Sequence, residues 1–337
     1  MKRTGFLIEQ VADIDNLRFA FYKAQRGKGE TDEIFRYREK LDENLLKLRE
    51  ELLAGSVKVG DYHLFKIFDP KERVICAAAF RERVLHHALM NICAPYFEKH
   101  FIATTYANRK GKGVYKALEE AFSAINRYKY VAKLDVRKYF DNIGHTILME
   151  QLCRLFKDSK LLQVLRDIVD SYHVQRGKGL PIGNLTSQYF ANYYLSGIDH
   201  YAKERMHIPV YVRYMDDIMA FGEDGEVLKA QIKAIQDEAD ARLQLTMKPP
   251  LIQTTEKPTA FLGYRLSKYK VGLTQRSKRR FARKYVSATK AMEYAEWSER
   301  EVQAHILPLF AFARHAYTKQ YRKEIIDRVA SRRVLTA

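Results

Sequence analysis

Two adjacent acids, Asp216 and Asp217, lie inside an apolar and aromatic run that covers residues 211–221. Apolar residues flank the pair on both sides, so the run predicts a buried β-hairpin with the two acids at its tip. Charged side chains rarely stay in such surroundings without a partner, and two neighbouring carboxylates alone would force a proton onto one of them. The pair therefore favours a hard divalent cation, with an accidental Asp-Asp turn as the alternative.

A third acid, Asp135, follows a second apolar segment, residues 130–134, which predicts a central strand. If this strand pairs beside the hairpin, Asp135 and Asp216 can bridge two Mg²⁺ ions roughly 3.5–4 Å apart. Two such ions stabilise the attacking and the leaving oxygen of a nucleotidyl transfer together. The acids therefore predict a polymerase palm, and the second motif argues against an accidental turn.

Residues 214–217, Tyr-Met-Asp-Asp, match the motif that marks reverse transcriptases, and residues 135–140 resemble the first catalytic motif of that family. The resemblance implies an α+β fold, a right-hand polymerase with fingers, an antiparallel-sheet palm and a helical thumb. It implies that the backbone carbonyl of Val136 is a further Mg²⁺ ligand and that Mn²⁺ can substitute for Mg²⁺. The catalytic, metal-binding side chains it implies are Asp135, Asp216 and Asp217.

Residues 179–188 distinguish this chain within the family. Most reverse transcriptases carry Gln-Gly and then Ser-Pro here, whereas this chain has Ile182-Gly183 and Ser187-Gln188. The pattern resembles the reverse transcriptases of diversity-generating retroelements, as does the block at residues 70–87, and the similarity extends from the N-terminal helices to the thumb. This resemblance implies that an RNA template is copied with errors concentrated at adenines.

A physical argument about Ile182 agrees with that implication. A glutamine can hydrogen-bond the nucleotide, whereas a β-branched apolar side chain offers only shape and dispersion, so mispairs are tolerated more easily. Simple packing of the loop by Ile182 is the alternative. A retron or group II intron type of reverse transcriptase is the nearest competing function, and accurate copying of adenines would favour it.

Several further side chains are predicted to hold the nucleotide. Residues 62–75 resemble a fingers hairpin with a turn at Asp69-Pro70, although its charges also fit exposed strand positions. By resemblance, an aromatic after the first acid blocks the ribose 2′-hydroxyl, with packing of this ring in the core as the alternative. A lysine after a strand at residues 243–247 assists pyrophosphate release by resemblance, a role that Lys257 could also fill. The predicted nucleotide-binding residues are Lys66, Arg73, Phe140, Ile182, Gln188 and Lys248.

Three segments are predicted to bind the template and primer. Residues 106–113 combine cations and glycines before a helix that begins near Val114, which suits a phosphate. Residues 261–266 resemble the primer-grip hairpin, where a glycine lets a strand backbone approach closely. Six of the nine residues 276–284 are Lys or Arg, which indicates a thumb helix on duplex phosphates or a solvated helix face. The predicted contacts are Arg109, Lys110, Lys112, Phe261, Leu262, Gly263, Tyr264, Lys278, Arg279 and Arg280.

The composition supports a polyanionic partner. Lys and Arg number 59 and Asp and Glu 41, a formal net charge of +18. An anionic membrane could attract the same charge, but neither an 18-residue apolar run nor a basic amphipathic anchor is present, so no membrane partner is expected. Three widely spaced cysteines indicate reduced thiols, and acids near the N-terminus argue against export, so we expect a cytoplasmic protein.

The chain order predicts five regions: N-terminal helices and fingers (1–130), a palm strand with the first catalytic aspartate (131–142), fingers and palm helices with the Ile-Gly-x-x-x-Ser-Gln loop (143–200), a palm with the catalytic hairpin and primer grip (201–270), and a basic helical thumb (271–337). The expected ligands are dNTPs, a template RNA and the cDNA/RNA duplex. Resemblance adds a small accessory variability protein. A catalytically idle RNA-binding scaffold is the alternative from another functional class.

Overall fold

The computed structural model describes residues 4–29, 31–68 and 72–334 and contains both helices and sheets. The chain forms two compact units, each assembled from three segments. The first unit comprises Met1–Lys110, Asp135–His207 and Lys233–Pro249, and the second comprises Gly111–Leu134, Ile208–Ile232 and Pro250–Ala337.

Helices account for most of the regular structure. Their ends follow local signals: Thr31 caps α3 by accepting from the Ile34 N–H, and α4 ends at Gly55, which adopts a left-handed conformation. The α-helices are α1 (Ile8–Val11), α2 (Ile14–Gln25), α3 (Asp32–Glu39), α4 (Leu41–Ala54), α5 (Phe80–Glu98), α6 (Val114–Arg127), α7 (His145–Leu155), α8 (Ser159–Asp170), α9 (Leu185–Tyr194), α10 (Ser196–His200), α11 (Gly225–Leu243), α12 (Gln275–Glu293), α13 (Glu299–Arg314) and α14 (Lys319–Val334).

The first unit combines packed helices with a two-stranded antiparallel hairpin, β1 (Tyr62–Ile67) with β2 (Arg73–Ala78). Helix α2 packs on α5, and α5 packs on α9. A short 3₁₀ helix, Phe140–Asn142, precedes α7. A hairpin is therefore present where the fingers hairpin is predicted, whereas its predicted turn at Asp69-Pro70, like Lys71, lies outside the described residues.

The second unit is built on a four-stranded antiparallel sheet in the order β4-β5-β3-β6, covered by α6. The strands are β3 (Tyr130–Leu134), β4 (Val210–Tyr214), β5 (Asp217–Gly222) and β6 (Leu251–Thr254). The central strand β3 pairs with β5 on one side and β6 on the other. The predicted pairing of the Asp135 strand beside the catalytic hairpin is thus confirmed.

A three-stranded sheet and a helical bundle complete the second unit. The sheet contains β7 (Thr259–Phe261), β8 (Tyr264–Ser267) and β9 (Lys270–Leu273), and α12 follows it. Helices α13 and α14 both pack on α12. The helical structure predicted for this region is present, and its assignment as a thumb stays a prediction.

The predicted strand at residues 243–247 is wrong. Helix α11 continues to Leu243, and Met247 forms only an isolated antiparallel bridge with Val136. The strand β6 instead begins after Pro249 and Pro250, which carry no N–H to donate to a ladder. No helix among the described residues has the length and apolar character needed to cross a membrane.

Candidate active site

The two adjacent acids lie at the tip of the β4–β5 hairpin. Tyr214 pairs with Asp217, which leaves Met215 and Asp216 as a two-residue loop. Asp216 and Asp217 are half-buried, and the strands behind them are buried. Burial also raises the pKa of Tyr214. The predicted hairpin with the acids at its tip is confirmed.

Asp217 lies beside a lysine of the central strand. The ammonium of Lys133 is 3.6 Å from Asp217 Oδ1 and also donates a hydrogen bond to the Ala260 carbonyl at 3.0 Å. Both side chains of this contact are partly exposed, with exposures of 27% for Lys133 and 36% for Asp217. One cation thus connects a predicted catalytic acid to the strand that enters the predicted primer grip.

Asp135 follows Leu134, the last residue of β3, and belongs to the first unit. Its Oδ2 accepts a 2.6 Å hydrogen bond from Lys248 Nζ, and its backbone carbonyl accepts from the Lys248 N–H at 2.9 Å. The bridge between Val136 and Met247 extends this pairing. Lys248, which is predicted to assist pyrophosphate release, therefore binds Asp135, a predicted metal ligand of the first unit.

The donor chemistry at these acids suits a hard cation. Asp135 and Asp217 each have a lysine ammonium within ion-pair distance, so each carboxylate already lies next to positive charge. Carboxylate oxygens are the ligands that Mg²⁺ prefers. Within residues 4–29, 31–68 and 72–334, however, no group of three or more His, Cys, Asp or Glu side chains is placed to hold a metal ion.

The first unit brings the predicted nucleotide gate, the Ile-Gly loop and the fingers hairpin together. The Phe140 carbonyl accepts from the Leu180 N–H at 2.9 Å, and the Ile182 carbonyl accepts from the Cys76 N–H of β2 at 2.8 Å. Phe140, Ile182 and Gln188 are all half-buried. The loop is thus attached through its backbone to the hairpin.

Backbone conformation and close packing explain why the loop needs a glycine at position 183, beside Ile182. Its φ is +124°, and a Cβ there would lie 3.0 Å from Ile75 Cγ2 and 3.1 Å from the Cys76 carbonyl oxygen. Any side chain would therefore push against the backbone of β2. The glycine allows close contact between the loop and the hairpin.

The two predicted cations of the fingers hairpin differ in their contacts. Lys66 forms an exposed ion pair with Glu72, with 2.8 Å between Nζ and Oε1. Arg73 is exposed and pairs in register with Ile67, the pair nearest to the connection between the two strands. Both side chains lie at the surface, where a nucleotide or solvent can reach them.

Arg109 does not fit the predicted template contact. Its guanidinium forms an ion pair with Glu98 and donates to the Ile102 and Thr105 carbonyls at 2.7 and 2.8 Å, and only 9% of the side chain is exposed. Arg109 therefore stabilises the local fold by binding Glu98 and the backbone of residues 102–105. Lys110 is exposed and Lys112 half-buried just before α6, which begins at Val114 as predicted.

Lys110 also lines a cavity of about 1050 Å³ in the first unit. Burial lowers the pKa of His87 in its wall to about 4, and the nearby charges of Lys23 and His86 act in the same direction. The cationic side chains in the wall include Lys23, Arg26, Lys28, Arg83 and Lys110, and Glu98 also lines it. This lining is suited to an anionic segment.

The predicted primer grip forms a tight hairpin. Phe261 ends β7 and Tyr264 begins β8, and both are fully buried, so these two side chains pack in the core rather than reach a primer. Burial raises the pKa of Tyr264, whose hydroxyl donates to the Phe312 carbonyl. Leu262 and Gly263 form the turn, both with positive φ, and remain half-buried at its tip.

Gly263 is needed for packing within the second unit. A Cβ there would lie 3.0 Å from Phe312 Cζ and 3.0 Å from Ser277 Oγ. Ser277 and Thr274 hydroxyls donate to the Gly263 carbonyl. This internal contact accounts for the glycine independently of the primer backbone that the sequence predicted.

The predicted basic contacts on α12 are only partly exposed. Lys278 is half-buried, and its backbone carbonyl accepts from the Tyr321 hydroxyl at 2.6 Å. Arg279 and Arg280 are exposed. The two arginines therefore fit the predicted surface contact better than Lys278 does.

Sequence reasoning did not single out Lys133 and Arg213, two cations in strands next to the predicted catalytic acids. Arg213 is fully buried in β4, and its Nη1 donates to the Met215 carbonyl at 3.0 Å. The available signal was a cation inside each apolar strand, because buried charges need partners. Both residues contact the catalytic hairpin.

Comparison with known proteins places these features in context. A family model described as reverse transcriptase (RNA-dependent DNA polymerase) matches residues 68–266, more than half of the chain. Protein YkfC of Escherichia coli (strain K12) is 24% identical over 271 residues, which cover 65% of this chain and 70% of YkfC. The group II intron-encoded protein LtrA of Lactococcus lactis subsp. cremoris is 20% identical over 310 residues, 70% of this chain and 52% of LtrA.

A solved telomerase from Candida albicans, in complex with a fragment of telomeric RNA, aligns with 75% of this chain and 55% of that chain. The sequence identity is 12% and the TM-score 0.47. The chain thus spans about half the length of LtrA and of this telomerase. On the match over residues 68–266, the chain belongs to the reverse transcriptase family, which confirms the predicted class of RNA-directed DNA polymerase and the right-hand polymerase fold.

Proposed function

We propose that this protein synthesises cDNA on a retroelement template RNA and copies template adenines with frequent errors. The observation that carries the polymerase activity is the half-buried Asp216-Asp217 pair at the tip of a hairpin paired to β3. Reverse transcriptases generally use divalent metal ions. Asp135, Asp216 and Asp217, with the Val136 carbonyl, would hold two Mg²⁺ ions, or Mn²⁺ in their place.

The bound ions would lower the pKa of the primer 3′-hydroxyl and neutralise charge that develops on the nucleotide phosphates. The protein's own contribution is to hold the carboxylates in fixed positions. The buried strands β4 and β5 restrict Asp216 and Asp217, and the β3 backbone leads directly into Asp135. In-line attack of the 3′-oxygen on the α-phosphate then forms the new phosphodiester and releases pyrophosphate.

Substrate choice follows from the first unit. The Phe140 ring would exclude a ribose 2′-hydroxyl, with Lys66 and Arg73 as cations for the triphosphate and Gln188 as a further nucleotide contact. The positively charged cavity wall supports binding of a single-stranded template segment. On α12, Arg279 and Arg280 would contact phosphates of the cDNA/RNA duplex.

The diversifying role rests on the loop that carries Ile182. Its backbone is fixed to β2 through Cys76, so an apolar side chain replaces a hydrogen-bonding one on a rigid support. We expect weaker discrimination against mispairs and, by resemblance, errors at template adenines. An accessory variability protein and the retroelement RNA are the proposed partners. The similarity to LtrA favours a group II intron type of reverse transcriptase as the second candidate.

Primer extension on an RNA template with dNTPs and Mg²⁺, followed by sequencing of the product, tests the proposal. The negative control is the Asp216→Ala, Asp217→Ala double variant, and the matched control is Asp237→Ala on the exposed surface of α11. We expect extension by wild type and Asp237→Ala only, with misincorporation opposite adenines. Accurate extension would retain the polymerase and exclude the diversifier. No extension, even with accessory protein and cognate RNA, would leave an RNA-binding scaffold.

A further inference from the structure

We propose that Arg213 is a positioning residue that holds the catalytic turn in the conformation required by Asp216. The inference deepens the proposed function and rests on it, because it assigns a role to a side chain outside the predicted metal ligands. Arg213 carries a charge and is nevertheless fully buried. The preceding strand residues Val210, Tyr211 and Val212 are buried as well. A guanidinium is always charged, so its burial here requires specific acceptors.

One of those acceptors lies within the catalytic motif. Arg213 Nη1 donates to the carbonyl oxygen of Met215 at 3.0 Å. The bond spans two residues and therefore ties the strand to its own turn. The carbonyl of Met215 and the N–H of Asp216 belong to the same planar peptide unit, so a bond that fixes this carbonyl also fixes the backbone from which the Asp216 side chain projects.

The turn has a reason to need such a bond. Met215 adopts φ of 57°, a left-handed conformation that a side chain with a Cβ disfavours. It is the first residue of a two-residue hairpin loop, and in a turn with positive φ only at this position glycine is the preferred residue. Strain of this kind persists at functional sites only when surrounding interactions enforce it.

The register places the side chains of Arg213 and Asp217 on opposite faces of the hairpin, because Asp217 pairs with Tyr214. Arg213 pairs with Ile218, which directly follows Asp217 and is fully buried. Side chains alternate along a strand, so Arg213 and Tyr214 project from opposite faces of β4. The guanidinium therefore supports the turn from the protein interior, on the face opposite to Tyr214, and its role is to position Asp216 rather than to touch substrate.

The test compares Arg213→Lys and Arg213→Gln with wild type, and uses Arg166→Gln on the exposed surface of α8 as the matched control. Hydrogen exchange of the peptide that contains residues 214–218 is measured without metal or substrate. We expect exchange in this peptide to rise about tenfold or more in both Arg213 variants, while the β3 peptide and Arg166→Gln remain like wild type. Unchanged exchange at the turn would overturn the inference.

Activity supplies the second measurement. Because misplacement of a reacting group by about 1 Å can reduce rates about 10²-fold, we expect kcat for primer extension to fall about 10- to 100-fold in Arg213→Lys, with KM for dNTP and affinity for template–primer little changed. Adding Met215→Gly should recover part of this loss, because glycine adopts positive φ without support. The same substitution in wild type should bring no gain.

The outcomes separate the two proposals. If wild type extends no primer, the proposed function fails, and hydrogen exchange at the turn still decides the role of Arg213. If Arg213→Lys and Arg213→Gln instead lower the unfolding midpoint and template affinity while kcat per folded molecule stays at the wild-type value, Arg213 only stabilises the fold. The absence of any coupling between Arg213→Lys and Met215→Gly would also contradict a role through the turn.

Discussion

Two hairpins in this protein carry predicted ligand contacts of opposite charge and are supported in different ways. In the catalytic hairpin, β5 is paired on both sides, by β4 and β3, and residues 218–221 are fully buried. The fingers hairpin is a two-stranded sheet in which Leu64 and Phe65 are 57% and 43% exposed. One hairpin ends in acids that must be fixed, and the other ends in cations at the surface.

The difference reflects what each hairpin is proposed to hold. Carboxylates that bind metal ions need a fixed geometry, which a central strand pair provides. A two-stranded hairpin is marginally stable alone, so the fingers hairpin depends on contacts at its base. Those contacts are backbone bonds: Cys76 donates to Ile182, and Ala79 donates to Asp61. The tip of such a hairpin can adjust to a ligand while its base stays attached.

The largest expected effect is at the catalytic tip. Asp216→Asn and Asp217→Asn keep the side-chain shape and remove the charge that would hold the metal ions. Metal stabilisation of the transition state is worth several kcal/mol, so single-turnover primer extension should fall at least about 10³-fold. The unfolding midpoint should stay the same or rise, because two adjacent like charges are reduced to one. Extension near the wild-type rate in both variants would remove these acids from the mechanism.

The next effect concerns the cation behind the acids. Lys133→Met removes the ammonium that lies 3.6 Å from Asp217 and binds the Ala260 carbonyl. We expect kcat to fall about 10- to 100-fold, because Asp217 and the strand leading to the primer grip lose a shared support. Lys129→Met is the matched control, since Lys129 is exposed and its ion pair with Glu223 is long, with 3.9 Å between Nζ and Oε2. Equal activity of the two variants would show that Lys133 does not support Asp217 and that the strands alone hold this acid in place.

The fingers hairpin should respond in KM rather than in kcat. Arg73→Ala removes an exposed cation, and loss of a charge-assisted hydrogen bond to phosphate should raise KM for dNTP about tenfold. Lys66→Ala should raise it only about two- to threefold, because Lys66 is already shared with Glu72 at an exposed pair. Steady-state extension across dNTP concentrations measures both. A large fall in kcat with constant KM would show that the two hairpins act in the same way.

Much of this contrast could be predicted from the sequence where the signal is local. The apolar run around Asp216 and Asp217 predicted the hairpin, and the glycine-rich segment at residues 106–113 predicted the helix that begins at Val114. Apolar periodicity and end signals act over a few residues, so one sequence is sufficient to identify them.

The parts that were missed depend on contacts formed only in the folded chain. The Arg109 segment has the composition of a phosphate loop, yet its guanidinium binds Glu98 and two carbonyls. Lys133 and Arg213 occupy strands that read as apolar, and their acceptors are set by strand register and turn geometry. The strand predicted at residues 243–247 was wrong because burial of Leu245 and Met247 comes from packing and a single bridge, without a ladder.

The smallest expected effect is a pH dependence on the side of the fingers hairpin. His87 lines the same cavity as Ile75 and Ala77 of β2, and burial lowers its pKa from 6.5 to about 4. The folded protein therefore takes up this proton less readily than the unfolded chain. The contribution of neutral His87 to the free energy of unfolding is complete above about pH 6.5 and is lost progressively as the pH falls towards 4. Because His87 is only half-buried, we expect its share of the change in unfolding midpoint to be about 2–4 °C. Comparing His87→Gln with wild type by thermal unfolding between these pH values isolates that share. A flatter pH dependence in His87→Gln, with unchanged hydrogen exchange in the catalytic hairpin, would confine this sensitivity to the first unit. An identical dependence in both proteins would assign the acid sensitivity to other groups.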